Sequence, residues 1–227
     1  MLSTTSYAVL GMLAVRPWSA YELTKQMRRG LAYCWPKAES VLYDEPKRLV
    51  KLGLASTREE PAGNGSRTRA VYAITGAGRA ALREWLATEP APPRFELEPL
   101  LRLLYADQGR KRDVLQAVTS AHGWAREEAK RGLAQLEGYR EEGGPFPERL
   151  HIIVLFADLC VRLIEAVEGW ATAARTEIAA WPRTGNLGAT PATVELALDG
   201  APAPQPASAI ASANAPSAAR LLDIERP

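Results

Sequence analysis

Residues 39–54 read Glu-Ser-Val-Leu-Tyr-Asp-Glu-Pro-Lys-Arg-Leu-Val-Lys-Leu-Gly-Leu, and two kinds of side chain separate along them with helical spacing. Leu42, Leu49 and Leu52 fall on one side; Ser40, Tyr43, Asp44, Lys47 and Lys51 form a polar stripe on the other. A hydroxyl, a phenol, a carboxylate and two ammonium groups in one row can hydrogen-bond base edges and pair with phosphates. Further on, Arg67 and Arg69 follow a turn at 61–65, adding two guanidinium groups suited to a phosphate backbone. Plainer readings stand beside these. Lys47 and Lys51 suit a solvated helix face, Arg67 and Arg69 a loop kept soluble by charge, and Tyr43 core packing.

The surrounding elements give the stripe a frame. Gly53 stops the helix where a left-handed residue is wanted. Residues 54–58 and 69–74 then alternate about the turn as a hairpin. A helix with a basic polar face followed at once by a basic hairpin is the layout of a winged helix-turn-helix: the helix enters the major groove and the hairpin lies along the backbone. Upstream, Ser3, Thr4 or Thr5 caps an apolar helix carrying Tyr7, Val9, Leu10, Met12 and Leu13, which Pro17 ends. Ser19 and Glu22 have capping-box spacing and open a second helix, with Leu23 and Met27 inward and Tyr21 and Lys25 outward. Thr75 caps a fourth helix that sets Leu82, Trp85 and Leu86 on one face.

Pro90, Pro92 and Pro93 mark a boundary. Residues 1–90 are expected to form the DNA-binding domain, 91–184 a helical dimerisation and effector domain, and 185–227 a tail. The second part opens with a short helix over 97–107, with Leu97, Leu100, Leu101 and Leu104 on its apolar side. A long helix over 111–141 follows, using Leu115, Val118, Ala125, Ala129, Leu133 and Leu136, with Glu127, Glu128 and Glu137 on a solvated face. Gly143-Gly144-Pro145 is the turn, and Pro147 suits the first position of a last helix over 148–181. That helix offers Ile153, Leu159, Leu163, Val167, Trp170, Ala174 and Ile178. A two-helix hairpin buries little alone, and 150–160 is apolar nearly all round, so a second copy of the chain is the expected cover. Trp124 and Trp170 suggest an aromatic effector pocket, with plain core packing as the alternative. The last 43 residues hold 12 Ala and 6 Pro and no aromatic residue, the composition of a disordered tail with a transient helix near 218–224.

Charge and missing motifs narrow the function. Residues 1–90 carry 13 Lys and Arg against 8 Asp and Glu, while the remainder is slightly acidic, so the first part is the nucleic-acid candidate. His122 and His151 lack a second ligand at helical spacing, and Cys34 and Cys160 lie far apart, so no metal is expected. No P-loop, dinucleotide fingerprint or nucleophile elbow occurs, which argues against an enzyme and implies no cofactor. The start has no basic secretory region and no apolar run reaches membrane length. A cytoplasmic protein without a membrane partner is expected.

One ordered set of segments carries a family resemblance. Tyr7-Ala-Val-Leu-Gly-Met-Leu, Ser19-Ala-Tyr-Glu-Leu, Leu42-Tyr43 with Lys47-Arg48-Leu49, Leu52-Gly53-Leu54 and Tyr72-Ala-Ile-Thr-Gly-Ala-Gly-Arg79 resemble the PadR family of bacterial transcriptional regulators over residues 5–88. The resemblance implies a mainly α fold: an N-terminal winged helix-turn-helix of three helices, a β-hairpin wing and a fourth helix, then a helical dimerisation region. It also implies a homodimeric repressor that binds a palindromic double-stranded operator and is released by a small molecule. By position it implies Ser40, Tyr43, Asp44 and Lys47 at the groove, Lys37 near a phosphate, and Arg67 and Arg69 in the wing. Pro46 departs from the family pattern, which has an apolar helical residue there; it should bend or loosen the helix. Two other functions remain open from the residues: a winged-helix protein-interaction adaptor, and a dimer that binds a small molecule without binding DNA.

Overall fold

The computed structural model of the chain describes residues 2–31, 35, 38–62, 68–142, 144, 146–188 and 194–195. They are mainly helical and separate into two compact units, Met1–Pro93 and Arg94–Pro227.

The first unit runs α1 (Thr4–Val15), β1 (Trp18–Ser19), α2 (Ala20–Leu31), α3 (Glu39–Lys51), β2 (Ala55–Pro61), β3 (Thr68–Ile74) and α4 (Gly76–Leu86). Ser3 opens α1 by accepting from the Ser6 amide while Ser6 returns the bond, so two otherwise orphaned donors are satisfied. Val9, Leu10, Leu13, Leu23, Met27, Leu42 and Leu49 fill the core. Burying each such side chain is worth about 1.5–3 kcal/mol, enough to outweigh any local propensity. Tyr7 on α1 stacks on Trp85 of α4 with centroids 4.8 Å apart, and the Trp18 indole donates to the Met12 carbonyl at 2.8 Å. The Trp35 indole reaches the Thr5 hydroxyl at 3.4 Å. Leu86, expected on the inner face of α4 beside Trp85, is instead 66% exposed at the last turn.

The sheet is antiparallel and three-stranded in the order β1-β3-β2. A plain two-strand hairpin was expected. The addition is β1, two residues that pair Trp18 with Tyr72 and Ser19 with Val71. The hairpin strands are also longer than the residue alternation implied, because pairing continues to Pro61 and Thr68. Pro61 is tolerated there because β2 lies at the sheet edge, where a missing N–H breaks no ladder.

Helix α3 runs through Pro46 without a break. Pro46 cannot donate to the Leu42 carbonyl, a loss of about 3 kcal/mol in an exposed helix interior. Here its ring is fully buried, which offsets part of that loss. The exit of α3 is closed tightly. Gly53 has φ +71, its amide donates to the Val50 carbonyl at 3.0 Å, and the Leu54 amide donates to the Leu49 carbonyl at 2.9 Å. That pair of bonds is a Schellman motif. Leu52, expected among the core leucines, is the residue at which the helix ends; it is half exposed because the chain turns there. The Thr75 hydroxyl donates to the Gly53 carbonyl at 2.8 Å and accepts from the Gly78 amide, so α4 starts against the end of α3. A Cβ on Gly78 would sit 2.1 Å from the Leu54 carbonyl oxygen, a position only glycine can occupy.

The second unit holds α5 (Glu98–Leu104), a 3-10 turn at Ala106–Gln108, α6 (Lys111–Glu142), a 3-10 turn at Pro147–Arg149 and α7 (Leu150–Ala180). Val114, Val118 and Ala121 of α6 meet Ala171 and Ile178 of α7, with Trp170, Ala174 and Trp181 packed against them. Lys111 donates to the carbonyls of Ala179 and Trp181 at 2.7 and 2.6 Å, covering oxygens that the end of α7 leaves without helical donors. Thr184 adds a bond to the Gly109 carbonyl at 3.0 Å.

In this unit two apolar faces stay in solvent in the single chain, and one sequence expectation, on Glu128, fails. The apolar side of α5 is not covered: Leu97, Leu100, Leu101 and Leu104 are exposed, Leu104 to 69%. Leu159 is exposed too, because α7 turns Cys160, Val161 and Ile164 inward instead. Glu128, placed on a solvated face, is only 7% exposed and pairs with Arg131 at 2.5 Å. The helix anticipated near 218–224, with most of the tail, lies outside the described residues.

Candidate nucleic-acid interface

The candidate surface belongs to α3 and the β2–β3 hairpin of the first unit. Helices α2 and α3 are joined by an ion pair between Arg28 and Glu39 at the start of α3. Arg48 anchors α3 from the other end, donating to the Ser6 hydroxyl at 3.1 Å and to Glu45 at 2.7 Å. These contacts hold α3 with Leu42, Glu45, Pro46 and Leu49 inward. The same rotation leaves Ser40, Asp44, Lys47 and Lys51 exposed and Tyr43 half-buried.

Five of the residues singled out in the sequence therefore lie along one helix. Ser40 and Asp44, with Val41, Glu45 and Arg48, line an open depression of about 300 Å³. Lys47 donates to Asp44 at 2.9 Å, and that bond holds its ammonium above the usual lysine range. In the unbound protein the two groups satisfy each other, so each must exchange a partner to meet a base or a phosphate.

The hairpin residues fall out differently. Lys37 and Arg67 lie outside the described residues. Arg69 is on β3 opposite Glu60, and its guanidinium points to a carboxylate on α2: Nη1 donates to Glu22 at 3.2 Å. Glu22 also accepts from the Ser19 amide at 3.0 Å and the Ser19 hydroxyl at 2.8 Å, completing the expected capping box. The bond from the Ser19 backbone, then that from its hydroxyl, then the charge of Arg69 hold the Glu22 carboxyl below its usual range. Arg58 is a basic hairpin residue that sequence reasoning passed over; it is exposed on β2 and pairs with Glu60 at 2.6 Å. Its strand carries Glu59 and Glu60 beside it, which hid the basic signal.

Trp124 and Trp170, the two effector candidates, have unlike surroundings in the second unit. Trp124 keeps 44% of its surface in solvent, whereas Trp170 packs on the α6–α7 core. Among the described residues, no cluster of His, Cys, Asp and Glu has the arrangement of a metal site, and no helix is long and apolar enough to cross a membrane.

Residues 9–84 match the family model described as the transcriptional regulator PadR-like family. Over 100 residues, 44% of this chain, the sequence is 28% identical to the negative transcriptional regulator PadR of Bacillus subtilis (strain 168). The chain spans about half of that relative's length, 54%. Its fold is similar to the crystal structure of Bacillus subtilis PadR in complex with operator DNA, with a TM-score of 0.63 at 19% identity, covering 78% of this chain and 99% of that one. It is also similar to the Vibrio cholerae virulence activator AphA, with a TM-score of 0.58 at 20% identity over 77% and 98% of the two chains. The helix-turn-helix, the hairpin and the matched residues all lie in the same stretch. Through residues 9–84 the first unit of this chain is similar to the transcriptional regulator PadR-like family, a family of regulators rather than enzymes.

Proposed function

We propose that this chain is a cytoplasmic, dimeric, sequence-specific DNA-binding repressor. The observation that carries the reading is the exposed polar edge of α3, with Ser40, Tyr43, Asp44 and Lys47, on a helix whose opposite side is anchored to the core. A rigidly held helix with polar side chains on its free face is what major-groove readout requires. Lys37, Arg67 and Lys51 supply phosphate contacts, which carry most of the affinity and make it salt-dependent.

Dimerisation is supported by the apolar side chains that the second unit leaves in solvent, Leu101 and Leu104 on α5 and Ile152, Leu155 and Leu159 on α7. A two-fold dimer would present two copies of α3 to half-sites about one helical turn apart, roughly 34–36 Å, on a palindromic operator. Repression is supported by the relative named a negative regulator. Since the fold is also similar to that of an activator, a reporter decides the sign: expression should rise when this chain is removed. Release by a small molecule needs a ligand that prefers a state unfit for DNA, since a ligand shifts an equilibrium only by its differential affinity. Quenching of the exposed Trp124 offers a direct readout for such a ligand.

The test is a titration of the purified chain against DNA from the upstream region of its own gene at two salt concentrations. A specific, salt-sensitive complex of two chains per site is expected. Absence of binding to any duplex at low salt would overturn the proposal.

A further inference from the structure

We infer that Arg69 is a positioning residue of the hairpin: it holds the β-sheet to the start of α2 through Glu22 and does not bind a phosphate. The inference rests on the DNA-binding reading above and revises the role that position alone assigned to Arg69.

Ser19 belongs to two structures at once. It is the last residue of β1, paired with Val71 of β3, and it caps α2. Arg69 stands two residues before Val71, on the same face of β3. Its guanidinium thus lies over the junction where the sheet becomes α2. The Glu22 carboxylate divides its oxygens there: Oε2 accepts from Ser19, and Oε1 accepts from Arg69 at 3.2 Å. Glu60, opposite Arg69 on β2, puts a second carboxylate 3.9 Å from the other terminal nitrogen and pairs in turn with Arg58 at 2.6 Å. Arg58, Glu60, Arg69 and Glu22 form a row of alternating charge from the edge strand across the sheet to α2. A phosphate at Arg69 would approach two carboxylates as well as one guanidinium. A network of this kind does more to fix geometry than an isolated exposed pair.

The geometry makes a prediction of sign. Glu22→Gln keeps an oxygen for the Ser19 amide and removes the charge facing Arg69, so it tests the latch while sparing the cap. Arg69→Ala removes the other partner. Duplex from the upstream region of the gene is titrated with the wild type, both single variants and the double variant over a range of salt. Backbone amide exchange of β1 and β3 is followed in the full chain without DNA. Each single variant is expected to weaken binding about two- to five-fold, the range an exposed ion pair can supply. The double variant should lose no more than either single one, with the slope of affinity against salt unchanged. Amides of β1 and β3 should exchange faster, by similar factors, in both single variants.

If Arg69 instead meets a phosphate, Glu22→Gln will tighten binding by unmasking it, and Arg69→Ala will flatten the salt slope by about 0.9. Either result overturns the inference, as does unchanged exchange in both variants. A wild type that binds no duplex overturns the regulator reading and Arg69's part in it, while the exchange data still decide whether the latch exists.

Discussion

The two units of this chain deal with apolar surface in opposite ways. In the first, large side chains are spent inside: Leu10, Leu13, Leu23 and Leu49 are fully buried, and the outward face of α3 is left polar. In the second, the inner seam includes many small residues, among them Ala117, Ala121, Ala125, Ala129 and Ala171, while leucines and isoleucines of α5 and α7 stand in solvent. A unit of the first kind is complete as a single chain. A unit of the second kind has apolar side chains left over in solvent, the kind of surface an interaction would cover. On the proposed reading, the difference separates a reading head, which must be rigid before it meets DNA, from an element that acquires its cover on assembly.

That contrast can be broken by experiment. The largest expected effect is that of Leu49→Ala, which should cost about 2–5 kcal/mol of stability in denaturant unfolding, through lost burial and the cavity left behind. Gly78→Ala should follow, at about 1–3 kcal/mol or more, since its methyl has no room beside the Leu54 carbonyl. Leu155→Lys sharpens the comparison from the other side. Leu155 is 76% exposed in the single chain, so the substitution should change the unfolding of the first unit by less than about 0.5 kcal/mol. It should nevertheless weaken self-association at least about tenfold in sedimentation, as a charge placed in an apolar interface would. Equal effects of Leu49→Ala and Leu155→Lys on unfolding would erase the distinction between the units.

Smaller effects come from the capping box. Ser19→Ala should cost about 1 kcal/mol by thermal melting, within the range for N-cap losses. The folded Glu22 carboxyl has a lowered pKa, so its contribution is present above the usual carboxylate range and is lost as pH falls through the folded value. The gap between wild type and Glu22→Gln should therefore close in acid, below the ordinary carboxylate range. Smallest for stability is Lys47→Ala, with a negligible change in melting. On DNA it should flatten the salt slope by about 0.9 if Lys47 meets a phosphate.

What could be read from the sequence was local. Ser19 with Glu22, and Gly53 at the end of α3, are short-range motifs whose residues are three apart or single. Thr75 was legible as a cap for the same reason. Features that depend on distant partners were not. Strand β1 is two residues long and exists only because Tyr72 and Val71 pair with it. Arg69 read as a wing residue because its partner is 47 positions away on α2. Gly78 looked like one more small residue of α4, and only the approach of Leu54 makes it obligatory. The leucines of α5 were recognisable as an apolar face, but periodicity shows that a face is apolar and is silent on what covers it. On α3 the exposed residues were legible from the leucine spacing, and the Lys47–Asp44 pairing was not.

The junction at the end of α3 has a consequence for how such a regulator can diverge. Gly53, Leu54, Thr75 and Gly78 commit the backbone leaving α3 to one path through hydrogen bonds and a contact with no spare room. Re-aiming the helix would require several simultaneous changes, each damaging alone. Exchanging Ser40, Asp44 or Lys47 disturbs none of those bonds. On the proposed reading, new target sequences are reached by swapping the letters presented on a fixed type-bar. A designer who wished to retarget this chain would randomise those exposed positions and leave the junction of glycine and threonine untouched.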